Sequence, residues 1–178
     1  GTKVGISGPF GTSFPVEDMY DHNIMLIGGG LGLVPLRAPI ASVLEKRSRY
    51  GNIDILYGSR NPSELLFTYQ YDTWRQFDLD LSIIVDEGDA TWDEPVGRIT
   101  SILEERIAVA GDISHNTYAI VCGPPIMFKF VCDMLIQAQL PMQKIFVSLE
   151  RRMHCGRGKC CRCNIGSTYT CLEGPVFD

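Results

Sequence analysis

Short apolar runs alternate with longer mixed stretches along most of this chain. The runs fall at residues 24–29 (IMLIGG), 53–58 (IDILYG), 79–86 (LDLSIIVD), 117–123 (TYAIVCG) and 144–150 (KIFVSLE). Each is short and rich in aliphatic or β-branched residues, so each predicts a strand. Several are nearly continuous rather than alternating, which predicts a sheet covered on both faces. The stretches near 34–49, 62–77, 97–107 and 125–139 carry helical patterning instead. Strand, helix, strand, repeated, predicts an α/β fold built on a doubly wound, five-stranded parallel sheet. Three regions follow: a lead-in over 1–22, the alternating domain over 23–150, and a tail over 151–178. The tail has little pattern of its own and reads as a loop wrapped around something.

Composition narrows the function. A chain of 178 residues suits one domain, or one domain and a small appendage. Apolar residues make up 45% of it, which excludes global disorder. A formal charge of −5 argues against nucleic acid or an anionic membrane as the main partner. No apolar run reaches the roughly 18–20 residues that a membrane span needs. The opening GTKVGISGPFGTSFP has no basic-then-apolar signal pattern, so a cytoplasmic location is expected, where thiols stay reduced.

In a doubly wound sheet, ligands bind beyond the carboxyl ends of the strands, and three features fall there. After the first strand comes GGGLGLVPLR, with Gly28, Gly29, Gly30 and Gly32. Glycines allow a tight turn and close approach of a pyrophosphate, and the next helix offers free N–H groups to the anion. The stretch departs from G-x-G-x-x-G, and no acidic residue ends the second strand to hold a ribose; Asp54 comes too early. Ser59 and Arg60 stand there instead, either to meet a 2′-phosphate or to solvate the loop. After the fourth strand comes CGPPIM, where Cys122, Gly123 and Pro124 lie at the ligand edge and Pro125 can start a helix.

Five of the seven cysteines crowd into residues 155–171. Cys155-x4-Cys160-x2-Cys163 has the spacing of plant-type 2Fe–2S ligation, and Cys171 supplies the fourth thiol. Gly156 and Gly158 let the backbone curl and aim N–H groups at sulfur, while Arg157, Lys159 and Arg162 add positive charge. Structural zinc is the rival, although only one C-x2-C knuckle is present; a disulfide framework is the third choice. Cys161 reads as a bystander within the loop, and Cys132, at helical spacing with Phe128 and Leu135, as core packing. His154 could tune the cluster or face solvent, and His22 and His115 lie in polar turns.

Together, GGGLGLVPLR, YGSRNPSELLF and CGPPIM resemble the NAD(P)-binding domain of the ferredoxin–NADP reductase superfamily. The ending CGRGKCCRC…C with EGPVF resembles the flavin and NAD(P) subunits of sulfhydrogenases, anaerobic sulfite reductase and dihydroorotate dehydrogenase. The opening GISGPFGTSFP resembles the segment that leaves that family's flavin-binding barrel. The resemblance implies an oxidoreductase component that moves electrons between NAD or NADP, FAD, a 2Fe–2S cluster and a catalytic redox subunit. It implies that Gly28, Gly29, Gly30 and Gly32 form the pyrophosphate turn. Cys122, Gly123 and Pro124 would lie beside the nicotinamide, near where hydride passes, which makes Cys122 the candidate catalytic residue. Cys155, Cys160, Cys163 and Cys171 would hold the cluster; the family usually has a small residue where Cys161 stands. The resemblance also implies a flavin barrel ahead of this segment, of which almost nothing is present. A fragment of a longer protein is therefore expected, with a flavin-supplying partner as the other possibility. Two further readings stay open: a zinc-stabilised nucleotide-sensing module, and a domain that binds no nucleotide and only docks a partner.

Overall fold

A computed structural model describes all residues, Gly1–Asp178. Its centre is a six-stranded sheet in the order β3-β2-β1-β4-β5-β8. The first five strands, β1 (Asn23–Gly29), β2 (Ile53–Ser59), β3 (Leu79–Val85), β4 (Thr117–Cys122) and β5 (Ile145–Ser148), run parallel. β8 (Val176–Phe177) comes from the tail and pairs antiparallel with β5, Val147 opposite Phe177 and Ser148 opposite Val176. The five parallel strands match the sequence expectation, and the sixth was not foreseen.

Side chains on β1 alternate between two cores. Ile24 and Leu26 face one layer with Leu36, Ile40 and Val43 of helix α1 (Leu33–Glu45) and Trp74 of α2 (Tyr71–Gln76). Met25 and Ile27 face the other, with Ile102 and Leu103 of α3 (Ile99–Ala110) and Val131 and Leu135 of α4 (Pro125–Gln137). Both faces are therefore covered, which is why the strands read as nearly unbroken apolar runs.

The helix expected over 62–77 is broken. Asn61 Oδ1 accepts the Glu64 N–H at 3.2 Å and caps a single 3-10 turn at Pro62–Glu64. The Tyr57 hydroxyl then accepts the Leu66 N–H, and the Tyr71 hydroxyl donates to the Leu66 carbonyl. With those main-chain groups used, Phe67 turns left-handed (φ 56°) and α2 begins only at Tyr71. Tertiary hydrogen bonds here outweigh local helical spacing.

The tail is also more ordered than its sequence suggests. It contains a hairpin, β6 (Asn164–Ile165) and β7 (Thr168–Tyr169), a short helix α5 (Thr170–Glu173), and then β8. The lead-in crosses it: Thr12 N–H donates to the Gly174 carbonyl and Thr12 Oγ1 to the Val176 carbonyl at 2.8 Å. No helix is long and apolar enough to cross a membrane.

Candidate nucleotide crevice and thiol site

The connections run outward from β1 on one side and from β4 on the other, so the carboxyl ends of these two strands diverge and leave a crevice. Gly28 lies opposite Cys122 in the register, and Gly29 opposite Gly58. Gly29 then leads into a 3-10 turn at Gly30–Gly32 that runs straight into α1. Gly30 is left-handed (φ 54°), which a side chain would resist. No side chain caps α1 and no acidic residue sits in its first turn, so no carboxylate opposes an anion there, although the Leu33 N–H turns back to the Gly30 carbonyl.

The second glycine turn faces the first. A Cβ on Gly32 would lie 2.1 Å from the Cys122 carbonyl oxygen, and one on Gly123 would lie 3.2 Å from the Gly29 nitrogen. The Met127 side chain lies against both Gly29 and Gly123. Pro124, Gly123 and Cys122 thus meet Gly28, Gly29, Gly30 and Gly32 at one edge. Burial pushes the Cys122 thiol up to about 11, with its bond to the Ser148 carbonyl (3.7 Å) pulling the other way, so it is a neutral thiol at physiological pH.

Ser59 and Arg60 end β2 beside this crevice and behave differently. Ser59 is buried with its hydroxyl unpaired, whereas Arg60 is exposed and in no ion pair. Their carbonyls are taken by the N–H groups of Asp86 and Glu87 at 3.0 and 2.9 Å. Arg37 stacks over the Phe67 ring at 4.3 Å and donates to Gln70, which ties the following loop to α1. A cavity of ≈ 550 Å³ lies elsewhere, at the amino ends of β2 and β3 among Asp54, Asp80 and Arg106. There the charges satisfy one another, Arg106 reaching Asp80 at 2.6 Å and Asp54 at 3.2 Å.

In the tail, Gly156 and Gly158 are both left-handed (φ 66°). That curl points the Arg157 and Lys159 N–H groups at the Cys155 sulfur, each at 3.4 Å, and the Gly158 N–H at the Cys171 sulfur at 3.2 Å. The Arg157 and Lys159 N–H groups, then Cys160, pull the Cys155 thiol down to about 6. Burial and the nearby Cys163 thiol hold that of Cys171 up, against the Gly158 N–H. Main-chain N–H groups thus reach the sulfurs of Cys155 and Cys171, while Cys163 and Cys171 are buried and Cys160 is exposed. No three His, Cys, Asp or Glu side chains converge on a position for one metal ion. Cys161 is left-handed (φ 54°) and its sulfur turns to the Tyr169 hydroxyl at 3.4 Å.

Three residues near the thiols gave no sequence signal. Phe10 packs its ring against Gly156, where an added Cβ would come within 2.6 Å of it. Thr12 anchors the lead-in on the tail, and Thr170 is fully buried beside Cys171. Contacts spanning the whole chain leave no periodic trace, though a hydroxyl residue directly before a candidate ligand could have drawn notice at Thr170.

The order 3-2-1-4-5, with a glycine turn at the switch point, is that of a doubly wound α/β domain with its crevice between β1 and β4. Residues 26–133 match the model of the oxidoreductase NAD-binding domain family, and the chain belongs to that family. It is 35% identical to sulfhydrogenase 1 subunit gamma of Pyrococcus furiosus, over 99% of this chain and 62% of that protein. It is 34% identical to the probable dihydroorotate dehydrogenase B (NAD(+)) electron transfer subunit of Methanothermobacter thermautotrophicus, over 99% of this chain and 59% of that one. The chain thus spans about three fifths of these curated relatives. Among solved structures it is similar to a ferredoxin NADP+ reductase from Neisseria gonorrhoeae. The TM-score is 0.62 at 18% identity, covering 76% of this chain and 60% of that one, a likeness of fold.

Proposed function

We propose that this chain is the nucleotide-binding and iron–sulfur-carrying part of a flavin-dependent electron-transfer subunit. NAD(P)H enters at the β1–β4 crevice, and electrons leave toward a catalytic redox subunit of hydrogenase, sulfite reductase or dihydroorotate dehydrogenase type. The observation that carries this reading is the join between crevice and tail. The Cys122 thiol bonds to the Ser148 carbonyl on β5, and Ser148 pairs with Val176 on the tail's own strand. The strand that ends at the crevice and the last strand of the tail are thus joined through β5.

In this reading the glycine turn and the first N–H groups of α1 bind the pyrophosphate. Cys122, Gly123 and Pro124 hold the nicotinamide, with the neutral thiol of Cys122 filling space rather than carrying charge. Ser59 and Arg60 meet the adenosine end. Cys155, Cys160, Cys163 and Cys171 hold a 2Fe–2S cluster, for which the donor set is suited: four thiols, with main-chain N–H groups already directed at two of the sulfurs. When bound, FAD converts a two-electron hydride into single electrons and the cluster takes them one at a time. The regions are 1–22 as lead-in from a flavin domain, 23–150 as the nucleotide domain and 151–178 as the cluster tail. A thiolate-held cluster needs reduced cysteines, which suits the cytoplasm.

The test is iron, zinc and acid-labile sulfide on anaerobically purified protein, with EPR after dithionite and titration with NADH and NADPH. About two irons and two sulfides per chain, and a signal on reduction, are expected. One zinc without sulfide overturns the electron-transfer reading in favour of a structural knot.

A further inference from the structure

Thr170 is the first residue of α5 and the immediate neighbour of Cys171, and none of it is exposed. Its main chain is fully used: the N–H donates to the Cys163 carbonyl at 3.3 Å, and the carbonyl accepts the Gly174 N–H at 3.1 Å. Its methyl faces Gly174, where an added Cβ would lie 3.2 Å from Cγ2. The hydroxyl Oγ1 has no hydrogen-bond partner at all. A buried unpaired hydroxyl costs about 1–3 kcal/mol, and native structures seldom carry one without a reason.

The surroundings say which partner is missing. Thr170 is hydrogen-bonded to the main chain of Cys163 and joined through the chain to Cys171. Both cysteines are buried, so water is a poor candidate, and Oγ1 meets neither thiol, so its acceptor is one that the site gains when the cluster binds. The Gly158 N–H already donates to Cys171 from another side. We infer that the Thr170 hydroxyl donates a hydrogen bond to a sulfur of the iron–sulfur site held by Cys163 and Cys171. This makes Thr170 a positioning residue that sets the site's reduction potential, and it rests on the cluster reading above. A donor to sulfur stabilises the reduced, more negative state over the oxidised one, so the hydroxyl raises the potential.

The experiment is a redox titration followed by EPR on wild-type protein, Thr170→Val, Thr170→Ala and Thr170→Ser, with iron and sulfide measured in each. Valine keeps the shape and loses the hydroxyl, alanine loses it without adding bulk, and serine retains it. The expected result is about a tenfold loss in the one-electron reduction constant for the Val and Ala variants, which is 59 mV toward negative potential, with Ser near wild type. Loss of the cluster from Val and Ala but not from Ser also supports the assignment. A loaded Val or Ala variant with the wild-type potential overturns it, as does cluster loss from all three. Wild-type protein without iron and sulfide overturns both this assignment and the cluster reading, so the two failures are distinct.

Discussion

The Cys122 carbonyl lies so close to the α-carbon of Gly32 that the two turns lining the crevice touch through backbone alone. A methyl at position 32 meets main chain on strand β4, which cannot swing aside as a side chain can. Gly32→Ala should therefore part the β1 and β4 turns. We expect destabilisation of about 2–4 kcal/mol and at least a tenfold loss in NAD(P)H affinity. Urea denaturation and nucleotide titration check this. Gly30→Ala, with open space around its Cβ but a left-handed backbone, should cost only about 1 kcal/mol.

Cys160→Ser should remove the cluster and leave nucleotide binding intact, because the thiol site and the crevice are built from separate turns. Cys161→Ser should keep full iron and sulfide, since that sulfur is directed to Tyr169. Iron and sulfide analysis with NADH titration of both variants decides the ligand register. Full occupancy in Cys160→Ser would move the ligand role to a neighbour.

Asp54 gives the fold a pH signature. Burial pushes its carboxyl from 3.8 to about 6, against the pull of Arg106 and with a further push from Asp80. Between about pH 4 and 6 the folded protein keeps a proton that the unfolded chain has released, so stability falls as pH rises through this window. The loss at Asp54 is at most about 3 kcal/mol. Asp54→Asn should flatten this slope, and Arg106→Met should extend it above pH 6. Urea midpoints from pH 4 to 8 provide the measurement.

Phe10→Ala should open the Gly156 side of the thiol site. The ring covers the turn that presents two N–H groups to Cys155. We expect cluster loss to oxygen or chelator to speed up several-fold, with Phe10→Tyr near wild type. Visible absorbance against time reads this directly.

The parallel sheet and the glycine crevice were legible because both rest on local rules. An apolar run of six residues such as 24–29 says strand wherever it occurs, and glycines at its end say tight turn. The broken stretch 62–77 was not legible, since Tyr57 and Tyr71 take the main-chain bonds of Leu66 from positions the helical period ignores. The thiol spacing offers four sulfurs as ligands, but spacing carries no word about what lies over them. Phe10, Thr12 and Thr170 act through tertiary contacts, and β8 exists only because β5 offers it an open edge.

Thr12 and Val176 are 164 positions apart, yet they are hydrogen-bonded. Ring closure over such a length is entropically slow and comes after the local sheet has formed. The tail must find a lead-in that the whole parallel sheet separates from it along the chain. A chain caught before that closure would present five sulfhydryls in an unlatched hook.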